Sequence, residues 1–151
     1  MKVLIDADAC PVVDMAVGLC VEFTVECILF CDTAHQMQRP GARTLIFDKG
    51  ADSVDFALVN QAEKGDVVVT QDYGLASMCL ARDARVIHQD GWEYTRYNID
   101  ALLFQRHAAK EYRAAGGRIK GPSKRKDSQN REFSKAFRAI LEAERRQYGK
   151  L

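Results

Sequence analysis

The chain has 151 residues, a composition that is 47% hydrophobic and a formal net charge of +1. This length fits one domain with a substantial core. No apolar run approaches the ~18 residues that a membrane span needs, and no signal peptide opens the sequence, so we expect a soluble, cytoplasmic protein. The five cysteines form no CxxC pair, which argues against a disulfide framework and against a zinc site.

The small net charge conceals two segments of opposite sign. Residues 1–100 contain 8 Lys and Arg against 16 Asp and Glu, whereas residues 101–151 contain 14 against 5. An acidic body joined to a basic end is expected where metal-binding carboxylates and a phosphate-binding surface share one protein. The alternative is a basic C-terminal helix that is merely solvated.

Short apolar runs alternate with segments of helical periodicity. In chain order, the pattern predicts a strand at 2–5, a helix at 11–20, strands at 25–31 and 44–47, a helix at 54–63, a strand at 66–70, a helix at 75–82, a strand at 84–88 and helices at 100–114 and 128–148. Strands that alternate with helices at these lengths predict a mainly parallel sheet with helices on both faces. We therefore expect a three-layer α/β/α fold.

The C-terminal third begins with a helix and a loop rich in Gly, Lys and Arg at residues 116–126. The final helix carries one apolar stripe: Phe133, Phe137, Ile140 and Leu141. Because such a stripe needs a surface to pack on, we expect it to cover the body of the protein. The sequence thus predicts one domain over 1–151, with an acidic α/β body at 1–100 and a basic loop and helical extension at 101–151.

Aspartates follow the predicted strands at three junctions. Asp6 and Asp8 follow the first strand, Asp72 follows the fourth, and Asp52 and Asp55 stand at i and i+3 where a helix begins after the third. In an open parallel sheet, ligands bind beside the carboxyl ends of the strands, so we expect these five carboxylates to share one cleft. Their mutual repulsion would be relieved by Mg²⁺ or Mn²⁺, which prefer oxygen ligands and support phosphodiester hydrolysis.

The alternative for each of these aspartates is a capping or turn-forming role, which is common for Asp at strand ends and helix starts. Asp14, Asp32 and Asp48 lack the pattern and are predicted to be surface residues. His35 follows the second strand and could reach the same cleft.

Four motifs carry a resemblance to a known family. They are DADACP at 6–11, KGADSVD at 49–55, TQDYGLA at 70–76 and GGRIKGP at 116–122. They resemble the YaiI/YqxD family of uncharacterised bacterial proteins over nearly the whole chain, and that family is similar in turn to PIN-like nucleases. The resemblance implies a PIN-like fold and an Mg²⁺- or Mn²⁺-dependent ribonuclease. Asp6, Asp52 and Asp72 match the metal-binding acids of PIN domains best, with Asp8 and Asp55 as accessory ligands.

The basic loop is predicted to bind the phosphate backbone of RNA through Arg118, Lys120, Lys124, Arg125 and Lys126. The leading hypothesis is therefore a metal-dependent ribonuclease with Asp6, Asp52 and Asp72 as its catalytic residues. One alternative is a non-catalytic RNA-binding module. Another is a small-molecule phosphatase in which Asp6 attacks phosphorus, although the sequence lacks a clear downstream Lys and paired-Asp motif. No membrane partner is expected, and the sequence is compatible with a homo-oligomer.

Overall fold

The computed structural model describes residues 1–50, 53–121 and 123–148. Its strands are β1 (Lys2–Asp6), β2 (Glu26–Asp32), β3 (Arg43–Phe47), β4 (Val67–Val69), β5 (Arg85–Ile87) and β6 (Glu93–Tyr94). Its helices are α1 (Val13–Phe23), α2 (Ser53–Gln61), α3 (Tyr73–Ala81), α4 (Ile99–Ala114) and α5 (Asp127–Tyr148).

The six strands form one sheet in the order β3-β2-β1-β4-β5-β6. All neighbouring pairs are parallel except β5 and β6, which are antiparallel. The chain builds outward from β1 to β2 and β3, and then returns to place β4 on the other side of β1. The carboxyl ends of β1 and β4 therefore flank the point where the strand order reverses, which is where open α/β sheets bind ligands.

Helices cover both faces of this sheet, so the central strands are buried on both sides and consist almost wholly of apolar residues. On one face, side chains of α1 and α5 share a core cluster with β1, β2 and β4. On the other face, α2, α3 and the beginning of α4 form the second cluster. The predicted three-layer α/β/α fold with a mainly parallel sheet is confirmed.

The predicted apolar stripe of the last helix belongs to the first of these clusters. Phe133, Phe137, Ile140 and Leu141 are all buried there, against residues of α1 and the sheet. The rings of Phe133 and Phe137 are stacked with their centroids 5.2 Å apart. The basic C-terminal segment is thereby joined to the acidic body by a shared core.

Two further observations bear on the sequence predictions. All five cysteines are free; four are buried, and Cys10 is half-buried. No helix among the described residues is both long enough and apolar enough to cross a membrane.

Candidate active site

A cavity of about 650 Å³ opens at the carboxyl ends of β1 and β4. The carboxylates that line it come from four separate parts of the chain: Asp6, Asp8, Asp32, Asp55 and Asp72. Four of the five aspartates expected to converge thus line one cavity. The fifth, Asp52, lies outside the described residues. The convergence follows from the strand order, because parallel strands deliver their C-terminal residues to the same edge of the sheet.

The hydroxyl group of Thr70 links the two aspartates that flank the switch point. It donates a hydrogen bond to Asp6 Oδ2 at 2.8 Å and accepts one from the backbone N–H of Asp72 at 3.0 Å. Thr70 is buried, with 2% of its surface exposed, so this bridge is shielded from solvent. Asp6 and Thr70 are 64 positions apart in the chain and become neighbours through the pairing of β1 with β4.

The Asp6 carboxyl group in this cavity has a strongly raised pKa. The pKa of Asp6 is raised from 3.8 to about 7, mainly by burial; the hydrogen bond from Thr70 opposes the shift, and the charges of Asp55, Asp72 and Asp8 add to it. A carboxyl group buried beside like charges disfavours its ionised form. A cation in the cavity would reverse this balance, because it favours the ionised form of every carboxylate near it.

Asp72 both lines the cavity and caps a helix. Its Oδ1 accepts hydrogen bonds from the backbone N–H groups of Gly74 at 2.9 Å and Leu75 at 3.1 Å, and so caps α3. This cap explains why α3 begins at Tyr73 rather than at the predicted residue 75. The same oxygen accepts a bond of 3.2 Å from the guanidinium of Arg106, the one cationic side chain among the described residues that line the cavity.

The prediction that Asp32 is a surface residue is wrong. Its side chain is only 18% exposed, lines the cavity and belongs to a cluster with Asp8 and His35. The backbone N–H of Asp32 donates to Asp8 Oδ2 at 3.2 Å, and Asp32 Oδ1 lies 2.8 Å from His35 Nδ1. Asp32 ends β2, so the signal that selected Asp6, an aspartate at the end of a parallel strand, would also have found it. His35 is exposed and contacts the lining residues Asp8 and Asp32, but it does not itself line the cavity.

The Asp8, Asp32 and His35 side chains offer a compact set of metal ligands. One ligand atom from each lies within 4.8 Å of the other two. Burial, followed by the charge of Asp32, raises the pKa of Asp8, whereas the hydrogen bond with His35 lowers the pKa of Asp32. The two carboxylates are oxygen ligands that suit Mg²⁺ and Mn²⁺. The imidazole nitrogen favours Mn²⁺, since it is a better ligand for transition metals than for Mg²⁺.

The cations of the predicted RNA-binding loop fall into two groups. Arg118, Lys120, Lys124 and Lys126 are exposed. Arg125 is half-buried, and its guanidinium donates to Asn130 Oδ1 at 2.7 Å, to Asp90 Oδ1 at 2.7 Å and to the backbone carbonyl of Gln89 at 2.8 Å. These bonds give Arg125 a structural role, because two of them tie the loop to the turn between β5 and β6 and the third joins it to α5.

Comparison with known proteins places the sequence among bacterial relatives. A family model described as "Uncharacterized BCR, YaiI/YqxD family" matches residues 4–143. The UPF0178 protein of Exiguobacterium sibiricum is 50% identical over 141 residues, which cover 93% of this chain and 96% of that protein. The UPF0178 protein of Clostridium acetobutylicum is 45% identical over 143 residues, covering 93% and 97% of the two chains. No solved structure matches this chain significantly.

Proposed function

Because this chain belongs to the YaiI/YqxD family, as its motifs predicted, we propose that it is an Mg²⁺- or Mn²⁺-dependent ribonuclease that hydrolyses phosphodiester bonds in its aspartate-lined cavity. The observation that carries this proposal is the meeting of five carboxylates from distant parts of the chain around one cavity. So many like charges are unfavourable in the absence of a cation, as the raised pKa of Asp6 indicates. Distant similarity to PIN-like nucleases, inferred from the motifs, agrees with it.

The side chains that would hold the ion are Asp6 and Asp72, with Asp8 and Asp55 as accessory ligands. Asp52 completes the proposed set on sequence grounds alone. The donor atoms are carboxylate oxygens, which fit Mg²⁺ and Mn²⁺. When bound, such an ion lowers the pKa of water towards neutrality and offsets the negative charge that develops on the phosphate. Asp32 and His35 extend the ligand set beside Asp8.

Other residues of the chain position these ligands and the substrate. The Thr70 hydroxyl group holds Asp6, and the cap of α3 holds Asp72. Arg106, which contacts Asp72, can bind the oxygens of a substrate phosphate, because a guanidinium donates to such groups in a bidentate manner. The exposed cations at Arg118, Lys120, Lys124 and Lys126 bind the backbone of the RNA. Arg125 supports that loop.

The test is cleavage of labelled single-stranded RNA by purified protein in Mn²⁺, Mg²⁺ or EDTA. We expect cleavage with either metal, none in EDTA, and a loss of about 100-fold or more in Asp72→Asn. Asn is as good a helix cap as Asp, so this substitution removes the charge while keeping α3 in place. Asp14→Asn is the matched control, because Asp14 is an exposed aspartate in the first turn of α1 and does not line the cavity.

Cleavage that survives Asp72→Asn would reject the assignment of the active site. Metal-independent RNA binding without cleavage would favour the non-catalytic binding module. Covalent labelling of Asp6 by a phosphate mimic would favour the phosphatase alternative.

A further inference from the structure

Part of the cavity wall is aromatic. Tyr73 and His88 line the cavity together with the carboxylates. Trp92 and Tyr94 pack against both of them. These four side chains, Tyr73, His88, Trp92 and Tyr94, are called the aromatic wall below. They lie after β4, after β5 and in or beside β6, so the sheet brings them to the same end of the molecule as Asp6 and Asp72.

The rings of the aromatic wall hold one another in fixed orientations. His88 stacks on Trp92 with the centroids 4.4 Å apart and the planes 11° from parallel. Tyr73 meets Trp92 edge-on at 6.3 Å and Tyr94 edge-on at 5.7 Å, and Trp92 meets Tyr94 at 4.6 Å. Offset stacked and edge-to-face contacts are the favoured arrangements of such rings. The rings that reach the cavity therefore offer preformed planar surface.

His88 presents a neutral ring whose tautomer is set by the backbone. Its Nδ1 accepts a hydrogen bond of 3.0 Å from the backbone N–H of Asp90, so the proton of the neutral imidazole is on Nε2. Burial lowers the pKa of His88 below its ordinary value of 6.5, which favours that neutral form. The aromatic wall thus supplies a hydrogen-bond donor without adding a charge.

The size of the cavity exceeds the needs of a metal ion. Its volume of about 650 Å³ lies within the range of small-molecule sites, roughly 300–1,000 Å³. The carboxylates and Arg106 form the part suited to a cation and a phosphate, and the rest of the lining consists of Tyr73 and His88 with Gly50, Val54 and Gln71. An aromatic surface beside a phosphate site is the combination that binds nucleotides of single-stranded nucleic acid.

We propose that the aromatic wall binds the base of one unpaired nucleotide, stacked against Tyr73 or His88, while the adjoining phosphate lies at the carboxylates and Arg106. This inference rests on the proposed function and narrows its substrate to single-stranded RNA. A base can reach the wall only when it is unstacked and unpaired, so duplex RNA is excluded unless a nucleotide is extruded.

The test compares AMP with ribose 5-phosphate, which has the same sugar and phosphate but no base. Both are titrated in Mg²⁺ by calorimetry. Trp92 is the only tryptophan of the chain, so its fluorescence reports events at the aromatic wall. We expect AMP to bind roughly 5- to 100-fold more tightly than ribose 5-phosphate, the usual range for stacking of one base, and to change the Trp92 emission.

Three variants test whether the preference for AMP over ribose 5-phosphate arises at the aromatic wall. Tyr73→Leu is expected to reduce the AMP preference at least several-fold, whereas Tyr73→Phe retains the ring and the preference. Phe104→Leu serves as the control for an aromatic residue outside the cavity, because Phe104 is 72% exposed on α4 and does not line it. Thermal melting of each variant checks that the fold persists.

Equal affinity for AMP and ribose 5-phosphate, no binding of AMP, or a preference that Tyr73→Leu leaves intact would overturn this inference. Such results leave the ribonuclease proposal standing if the RNA is still cleaved. Conversely, base-dependent binding of AMP without any cleavage of RNA would support the base site and reject the nuclease.

Discussion

At the residue scale, the buried carboxyl group of Asp6 lowers the stability of the folded protein at neutral pH. The pKa of its carboxyl group is raised from 3.8 to about 7, first through burial and then through the charges of Asp55, Asp72 and Asp8. The folded protein therefore binds a proton at Asp6 more tightly than the unfolded chain does. The corresponding stability is fully present below about pH 4 and is lost as the pH rises towards 7. A metal-free site is thus least favourable at neutral and higher pH.

We predict that Asp6→Asn stabilises the metal-free protein, by about 1–3 kcal/mol at pH 8 and by little near pH 4. The amide has no charge to desolvate, and its oxygen can still accept the hydrogen bond from Thr70. The measurement is thermal or urea denaturation in EDTA at the two pH values. A variant that is equally stable or less stable than the wild type at pH 8 would contradict this account.

At the element scale, the turn between β5 and β6 contacts α5 directly, in addition to the core packing of that helix. Gly91 in that turn has φ of +95°, and a Cβ atom there would lie 2.7 Å from the backbone carbonyl of Glu132 in α5. Arg125, just before α5, bonds to Asp90 and to the carbonyl of Gln89 in the same turn. The turn and the helix are therefore in direct backbone contact, which only glycine permits.

We predict that Gly91→Ala destabilises the protein by about 2–4 kcal/mol, since it adds a backbone clash to an unfavourable φ. Gly116→Ala is the matched control: Gly116 has φ of +93°, but no atom lies within 4 Å of the place its added methyl group would take, so it should cost only about 1 kcal/mol. Urea denaturation of the two variants gives the difference due to the contact with α5. Equal losses would show that this contact does not hold the helix.

At the scale of the whole molecule, opposite charges occupy different regions. The carboxylates gather at the switch point of the sheet, while the exposed cations of the loop follow α4, whose residue Arg106 reaches the cavity. Backbone binding by lysines and arginines releases counterions, so its affinity falls as salt rises. The acidic cavity and the basic loop should therefore respond to different variables: metal and pH for the first, salt for the second.

We predict that the logarithm of the RNA association constant falls with the logarithm of salt concentration with a slope of about −3, if Arg118, Lys120, Lys124 and Lys126 each contact one phosphate. Lys120→Ala or Lys124→Ala should reduce the magnitude of the slope by about 0.7 each. Fluorescence anisotropy of a labelled single strand, measured in Ca²⁺ with Asp72→Asn protein, provides the measurement. An unchanged slope in the lysine variants would show that the loop does not bind RNA.

Arg125→Ala should instead lower the melting temperature of the protein, because the Arg125 guanidinium bonds to Asp90 and to the carbonyl of Gln89 in the body.

The order and type of every element except the two-residue strand β6 were determined by the sequence itself, because burial imposes a local periodicity that is visible in the longer segments. Apolar runs predicted the buried strands, the apolar stripe of α5 predicted its packing, and strand-end aspartates predicted most of the acidic cavity. These features depend on neighbours within a few residues along the chain. The YaiI/YqxD motifs, which are likewise local, predicted the family.

The partners of each site residue were decided only by the tertiary structure. Asp6 bonds to Thr70, 64 positions away, because β4 rather than β3 lies beside β1, and no local pattern specifies that order. A similar reason explains why Arg125 was grouped with the RNA-binding cations, because its partners Asp90 and Gln89 lie 35 and 36 positions away in the chain. Spacing along the chain reveals which face a side chain takes, whereas its hydrogen-bond partners, exposure and pKa depend on which distant strands and turns become its neighbours.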